Sequence, residues 1–363
     1  AVSRHLVGAT GGHMTSALER ALTAMNAWWF APSARYQLGV FRVILVGWFG
    51  WYYWARLFER LRAVADRPLE FYAPPSLARW LSLPPLSQAS LGWLEPLALG
   101  LLALAFAGIV TRASLIAFAA LNLYLGLSAN SWGYTAHASA LPTLVLWLIA
   151  FAPGVTSFSL DAAVLAHRPH RTRLLQGPRP VSVWPVRAVL LVLCLVYVSA
   201  GVSKLRYSGW SWTDGQTLAF YLGGGSPRGK AEEQRFVADR RASEVDRFRE
   251  GWGLVDHAYV GSPSPAGLWL SKQPGLLSLI AWAALMWELG FVIALFGGWA
   301  RLLALAGGIG FHLGIYLTLG INFSSYLVCY AVFVDWRSVA GSTFQAVRVL
   351  SQRWSRRRAQ PSS

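Results

Sequence analysis

A stretch of 27 residues with one ionisable side chain constrains this sequence more than any other feature. It runs from Pro274 to Ala300, and its ionisable residue is Glu288. About 20 consecutive apolar residues are enough for a helix to cross the hydrocarbon core of a bilayer. Charged residues make up only 13% of the chain and apolar residues 55%, so charge cannot cover a soluble surface. The sequence therefore predicts an integral membrane protein.

Similar apolar runs recur along the chain and predict an all-α fold, a polytopic membrane helical bundle with about eight transmembrane helices. A backbone within lipid must satisfy its own hydrogen bonds, and no run alternates as a barrel strand does. The predicted spans cover 37–57, 91–111, 113–130, 138–153, 185–203, 274–297, 300–319 and 322–336. They form one transmembrane domain, 33–336, between an N-terminal segment, 1–32, and a basic tail, 337–363.

The distribution of positive charge predicts the orientation of the bundle. The 32 Lys and Arg residues exceed the 16 Asp and Glu residues, for a net charge of +16. Nucleic-acid binding can produce such an excess, but here the arginines flank apolar runs, as the positive-inside rule describes. We therefore expect membrane lipid, and no nucleic acid, as a partner. Both termini are predicted to be cytoplasmic and the connection 205–273 extracytoplasmic, although the arginine-rich connection 56–79 does not fit this assignment.

The two cysteines are not expected to form a disulfide or to bind a metal. Cys194 and Cys329 both lie inside apolar runs, where a cysteine usually packs as a small apolar side chain. Two cysteines without a ligand-like spacing do not support a metal cluster. No metal site is predicted.

Ionisable side chains at membrane depth are costly and are therefore candidates for function. Arg42 lies in the first span, where we expect a structural buried charge paired with a carbonyl or an acid. Glu288, in the sixth span, is either the counter-ion of Arg42 or a protonated carboxyl. His312 lies in the seventh span. A single buried histidine is more often a hydrogen-bonded structural residue than a metal ligand.

Lys204 ends the fifth span and has two interpretations. Lysines at helix ends usually extend to the membrane interface. The small residues before it, Ser199 to Ser203, favour close helix packing instead. An enclosed lysine loses basicity and can act as a base near neutral pH.

Polar and aromatic side chains converge on the predicted outer ends of the spans. One connection, 128–137, contains asparagine, tyrosine and histidine without a net charge. The side chains with this placement near Lys204 include Trp132, Tyr134, His137, Trp212, Asp214 and Asn322. Such a convergence indicates a site. The mixed charges of 230–253, in the long connection, predict either a solvated helix or a substrate-docking element.

Three groups of short motifs occur in a particular order. They are Phe41-Arg42; Ala200 to Leu205 followed by Trp212-x-Asp214-Gly215; and Glu288-Leu289-Gly290 followed by Phe311-His312 and by Leu319 to Phe323. In order and spacing they resemble the horizontally transferred transmembrane (HTTM) domain. Bacterial membrane proteins share this domain with the vitamin K-dependent gamma-glutamyl carboxylase. The resemblance covers roughly 33–336.

The resemblance implies a lysine base. In the carboxylase, a lysine in a Gly-Val-Lys-Lys-Leu segment starts the oxidation of reduced vitamin K, and Lys204 matches the second lysine of that pair. Ser203 stands in place of the first. The reaction that follows forms the quinone epoxide and removes a proton from a substrate glutamate, which then adds carbon dioxide.

The resemblance also implies a cofactor, a substrate and a location. Reduced vitamin K or menaquinol is the expected cofactor, with a peptide or protein substrate at the outer face of the bacterial cytoplasmic membrane. The large lumenal domain of the carboxylase has no counterpart in 337–363, so the connection 205–273 is expected to dock the substrate. The implied catalytic residues are Lys204, His137, Asp214 and His312. The implied cofactor-binding residues are Trp132, Tyr134, Trp212 and Asn322.

Two other functions stay open. A non-catalytic scaffold or peptide-maturation partner would keep the fold without the chemistry. A transporter is the third choice, because the sequence shows no relay of buried charges and no pair of broken helices in matching halves.

Overall fold

The computed structural model describes residues 5–33, 37–65, 67–132, 139–166, 181–223, 264–336 and 338–339. Within these ranges the chain is mainly helical, which confirms the all-α class. Five helical segments there are long and apolar enough to cross a membrane: Gln88–Ala107, Thr111–Ala129, Trp184–Asp214, Pro274–Phe296 and Gly298–Leu319. The protein is thus an apolar helical bundle suited to a membrane. The count of eight spans stays a prediction, although each of the eight predicted segments contains helix.

The first half of the chain begins with α1 (His5–Trp29) and a short strand β1 (Pro32–Ser33), which pairs antiparallel with β2 (Val181–Ser182). The helices that follow are α2 (Gln37–Tyr52), α3 (Phe58–Ala65), α4 (Ser76–Trp80), α5 (Gln88–Ala107), α6 (Thr111–Ala129), α7 (Ala140–Phe151) and α8 (Leu160–Ala166). A π-helix, Tyr53–Leu57, joins α2 to α3, so the helix continues past the predicted end of the first span. A short 3-10 helix covers Leu69–Phe71.

The second half contains the longest apolar helices. These elements are α9 (Trp184–Ser208), α10 (Gln216–Leu222), α11 (Pro265–Leu270), α12 (Pro274–Gly290), α13 (Gly298–Leu319) and α14 (Ser324–Tyr330). Three 3-10 helices extend or connect them: Gly209–Asp214, Phe291–Phe296 and Ala331–Phe333. The predicted connection 205–273 is thus helical at both ends, and its part 224–263, including 230–253, lies outside the described residues.

The core lies where α2, α5, α6, α7, α9 and α14 pack together. Aromatic rings fill its first half: the Phe49 and Phe118 rings meet edge to face with their centroids 5.7 Å apart. A polar chain crosses the same region. The Tyr53 hydroxyl donates to Asn122 Oδ1 at 2.9 Å, and Asn122 Nδ2 donates to Thr143 Oγ1 at 2.9 Å. Every member of this chain has a partner, as buried polar groups require.

A carboxylate caps the N-terminus of α6. Asp161 accepts hydrogen bonds from the Val110 N–H at 3.0 Å, the Thr111 N–H at 2.7 Å and the Thr111 hydroxyl at 2.8 Å. The first amides of a helix lack partners within the helix and carry partial positive charge. Burial raises the pKa of the Asp161 carboxyl, but these hydrogen bonds and the charge of Arg42 outweigh it, so the net pKa lies below its ordinary value.

Asp161→Ala should lower the free energy of unfolding by about 1–2 kcal/mol, the usual effect of losing a helix cap. Because the folded-state pKa of Asp161 is lowered, its stabilisation is present above the ordinary carboxyl pKa and is lost as pH falls through the folded-state value. The unfolding temperature in detergent, followed from neutral to acid pH, measures both effects. Glu70→Ala, at an exposed acid, is the control. An identical acid dependence in Asp161→Ala and the unaltered protein would contradict the assignment.

Candidate functional site

An ion pair joins α9 to α12 in the second half of the bundle. Lys204 Nζ donates to Glu288 Oε1 at 2.7 Å and to Oε2 at 2.6 Å. The Glu288 side chain is 5% exposed and the Lys204 side chain 21% exposed. The carboxylate is therefore enclosed, whereas the ammonium keeps one open side. Of the two interpretations of Lys204, enclosure by helix packing fits these contacts better than extension to the interface.

Close packing at Gly201 lets the two charges meet. A Cβ at Gly201 would lie 2.8 Å from Leu289 Cδ2 and 3.4 Å from Glu288 Cβ. Gly201 precedes Lys204 by three residues, so both lie on the α9 face that meets α12. A larger side chain at Gly201 would push α12 away and draw the carboxylate from Nζ.

An indole covers the ammonium of Lys204. Nζ lies 5.2 Å from the centroid of the Trp212 ring, within the range of a cation–π contact. Trp212 belongs to the 3-10 helix Gly209–Asp214, which is anchored on α12: Ser278 Oγ donates to the Thr213 carbonyl at 2.7 Å. Gly215 follows with φ of 81°, and a Cβ there would lie 2.7 Å from the Ser278 amide nitrogen. The turn after α9 thus fixes Trp212 above Lys204.

A second polar cluster lies deeper in the same part of the bundle. The Tyr197 hydroxyl lies 2.6 Å from His312 Nε2 and 2.6 Å from the Tyr330 hydroxyl. All three side chains are buried. Among the described residues, His312 Nδ1 has no hydrogen-bond partner. Tyr197 also packs on the Trp287 ring, next to Glu288, with the ring centroids 4.6 Å apart.

Two of the predicted site residues accept a backbone N–H at the start of the helix that follows them. The Asp214 side chain is exposed, and its Oδ1 accepts the Gln216 N–H at 2.7 Å, at the start of α10. Asn322 is also exposed, and its Oδ1 accepts the Ser324 N–H at 2.8 Å, at the start of α14. The structure thus gives both oxygens a local partner and does not place either side chain in contact with the ion pair.

The remaining predicted residues belong to the connection 128–137. Trp132 is buried in the first half and packs on the Tyr72 ring, with centroids 5.2 Å apart. Tyr134 and His137 lie outside the described residues. The structure therefore brings Lys204, Trp212 and Glu288 together and adds a neighbouring cluster around His312. Tyr197 and Tyr330 were missed, although Tyr197 lies seven residues before Lys204 on one helix face.

Arg42 and Glu288 do not pair with each other. The prediction that Glu288 is the counter-ion of Arg42 is wrong, because Glu288 pairs with Lys204. Arg42 is fully buried and donates from Nη2 to the Phe158 carbonyl at 2.8 Å, as expected for a structural charge. A Cβ at Gly108 would collide with Arg42 Nη1, and φ of Gly108 is +72°. The guanidinium is therefore enclosed by backbone.

No group of three His, Cys, Asp or Glu side chains is placed to hold a metal ion within the described ranges. Cys194 and Cys329 are both buried and free, and Cys329 Sγ contacts the Ser325 carbonyl at 3.3 Å. Packing accounts for both cysteines.

Comparisons with protein families, with curated proteins and with solved structures find no match to this chain. The geometry of the two clusters therefore carries the functional argument.

Breaking the ion pair from either side should destabilise the bundle. Lys204→Met or Glu288→Leu alone leaves one charge without its partner, and each should lower the free energy of unfolding by about 3 kcal/mol. This is the lower end of the range for buried pairs, chosen because Lys204 keeps 21% of its side chain exposed. The double variant should recover most of the loss. A double-mutant cycle of unfolding in detergent measures the coupling, and additive losses would contradict a direct pair.

Gly201→Val should separate α9 from α12 and lower the unfolding temperature. Gly100→Val is the matched control, because Gly100 also lies within a long apolar helix but has no atom within 4 Å of an added Cβ. Both variants place the same β-branched residue in a helix. Thermal unfolding compares them, and equal losses would show that helix propensity rather than packing determines the effect.

Proposed function

We propose that this protein is an integral membrane enzyme of the carboxylase-like type. In this proposal Lys204 is the base that deprotonates a reduced lipid quinone, and the oxidised product drives modification of a peptide or protein at the outer membrane face. One observation carries the proposal. A partly exposed lysine, Lys204, donates hydrogen bonds to both carboxylate oxygens of the buried Glu288, and its ammonium lies against the Trp212 indole ring.

The ion pair offers a route to a neutral amine. A lysine acts as a base only when it has lost its proton. Glu288 is nearly inaccessible to solvent, so a proton on its carboxylate would remove a buried charge. Hydrogen bonds of 2.6 and 2.7 Å let a proton pass from Nζ to the carboxylate. The neutral Lys204 then accepts a proton from a hydroxyl placed at its open side.

The side chains around Lys204 fit an aromatic hydroxylated ligand. Trp212 presents an aromatic ring, and its indole N–H has no partner among the described residues, so it can donate to a ligand oxygen. When bound, a reduced quinone supplies an acidic hydroxyl and two electrons for dioxygen. Lys204 would remove the proton, Trp212 would orient the ring, and Glu288 would store the proton that Lys204 releases.

The distribution of arginines supports an outer position for the site. Arg187 lies in the first turn of α9, stacks on Trp28 at 4.5 Å and lies near Arg301. Lys204 follows 17 residues later on the same helix, which corresponds to about 25 Å. By the positive-inside rule the arginine end is cytoplasmic. Lys204 then faces the outer surface of the bacterial cytoplasmic membrane, and both termini lie on the cytoplasmic side.

A scaffold or peptide-handling function is the alternative, and the closed ion pair favours it. Both charges are satisfied by each other, and Gly201 explains their contact by packing alone. A protein that only assembles with a peptide partner needs no more than this.

Quinone epoxide formation distinguishes the two functions. Purified protein in nanodiscs is incubated with reduced vitamin K or menaquinol and dioxygen, and mass spectrometry measures the epoxide. We expect epoxide above the protein-free background and a loss of at least about 100-fold in Lys204→Ala, the usual contribution of a positioned base. Glu288→Gln should also lose activity, because it cannot receive the lysine proton.

Lys272→Ala is the matched control, since Lys272 is an exposed lysine between α11 and α12. It should keep full activity. Background-level epoxide in every sample would sink the proposed reaction and favour the scaffold. Activity that survives Lys204→Ala would assign the base to another residue.

A further inference from the structure

The cluster of Tyr197, His312 and Tyr330 is a hydrogen-bonded chain with one open end. His312 Nε2 contacts the Tyr197 hydroxyl, and the Tyr197 hydroxyl contacts that of Tyr330, each at 2.6 Å. His312 is 3% exposed, and its Nδ1 has no partner among the described residues. A buried polar atom without a partner is costly. The open end is a position at which a ligand oxygen would gain a hydrogen bond.

The hydrogen bonds of this cluster can be donated in either of two directions. In the first, Tyr330 donates to Tyr197 and Tyr197 donates to His312 Nε2, so Nδ1 carries the proton and is a free donor. In the second, Nε2 donates to Tyr197 and Tyr197 donates to Tyr330, so Nδ1 is a free acceptor. Tyrosine hydroxyls and the neutral imidazole permit both arrangements. Reversal of the chain thus converts one buried atom from a donor to an acceptor.

We propose that His312 Nδ1 binds one oxygen of a lipid quinone in both of its oxidation states. A quinone carbonyl accepts a hydrogen bond and a quinol hydroxyl donates one, which are the two functions that the reversible chain supplies. The choice of ligand rests on the proposed function; the open Nδ1 does not. His312 is thus a ligand-binding residue, and Tyr197 and Tyr330 are positioning residues that set its tautomer.

The surroundings of His312 suit an aromatic ring. The imidazole lies among other rings, with centroid separations of 4.7 Å to Phe323 and 4.9 Å to Tyr326. Phe311 stacks on Trp287 at 4.8 Å. Tyr197 lies on the same α9 face as Lys204, seven residues or about 10 Å away.

Gly308 leaves room for the Tyr330 hydroxyl, which is the last group of the hydrogen-bonded chain. A Cβ at Gly308 would collide with the Tyr330 hydroxyl. The small residue thus lets α14 bring Tyr330 close to α13, where His312 lies. The three polar side chains come from three helices, so their contact depends on this packing.

Binding without turnover tests the proposal. A short-chain menaquinone and its chemically reduced quinol are added without dioxygen to protein in nanodiscs, and the bound fraction is compared with that in empty nanodiscs. His312→Gln places an amide near the position of Nε2 and can keep the contact with Tyr197, but it has no group at Nδ1. It should weaken binding of both forms about tenfold, the loss of one buried hydrogen bond. His312→Asn, whose amide lies near the position of Nδ1, should bind more tightly than His312→Gln.

Tyr330→Phe tests whether the direction of these hydrogen bonds differs between bound quinone and bound quinol. Without the Tyr330 oxygen, Tyr197 has no acceptor in the second direction, so the quinol should lose more affinity than the quinone. Wild-type affinity in His312→Gln, or an equal loss of both forms in Tyr330→Phe, would overturn the proposal. Thermal unfolding of each variant shows that it is folded.

The two proposals fail separately. Absence of epoxide together with weaker quinone binding in His312→Gln would reject the lysine reaction and keep the binding position. Epoxide formation together with unchanged binding in His312→Gln would keep the reaction and reject this position.

Discussion

The ion pair between Lys204 and Glu288 fixes how the second half of the bundle is assembled. A charge within an apolar bundle is tolerated only with a partner close by. Because Glu288 is enclosed, α12 must pack on α9 in the register that brings it to Lys204, and Gly201 permits the required approach. The same register places Trp287 beside Tyr197. Formation of the ion pair and formation of the His312 cluster are thus parts of one packing arrangement.

Some buried polar groups of the bundle are satisfied within a chain of hydrogen bonds, and others have no partner. In the first half, Tyr53, Asn122 and Thr143 satisfy one another. Among the described residues, atoms without a partner occur in both halves: in the first they include Ser128 Oγ and the indole nitrogens of Trp132 and Trp147, and in the second the indole nitrogens of Trp212 and Trp287 and His312 Nδ1. A satisfied network stabilises one structure, whereas an open one is a place where a ligand gains hydrogen bonds. Arg42 also has unpartnered nitrogens, but the close approach of Gly108 leaves no space for a ligand at Nη1.

The sequence predicts the elements well because the period and length of apolar runs are local properties. Each predicted span contains helix, whereas the residues around Lys204 leave both enclosure and extension to the interface open. The partner of Lys204 lies 84 residues away, and no local pattern decides whether Glu288 pairs with Lys204 or Arg42. That choice depends on which helices pack together. Asp214 and Asn322 were predicted as site residues from their position, but each accepts a backbone N–H two residues later. Side chains of this type commonly form such local bonds.

The proposed reaction requires a proton to pass from Lys204 to Glu288. In the proposed reaction a ligand that covers the open side of Lys204 removes the remaining water from the pair. Loss of that water lowers the local dielectric and favours the two neutral forms over the two charged ones. The proton then moves to Glu288, and the base is released at the moment when its target lies against it. A lysine without the buried glutamate would have no acceptor for this proton, so the proposed reaction needs both residues even though Glu288 itself is enclosed.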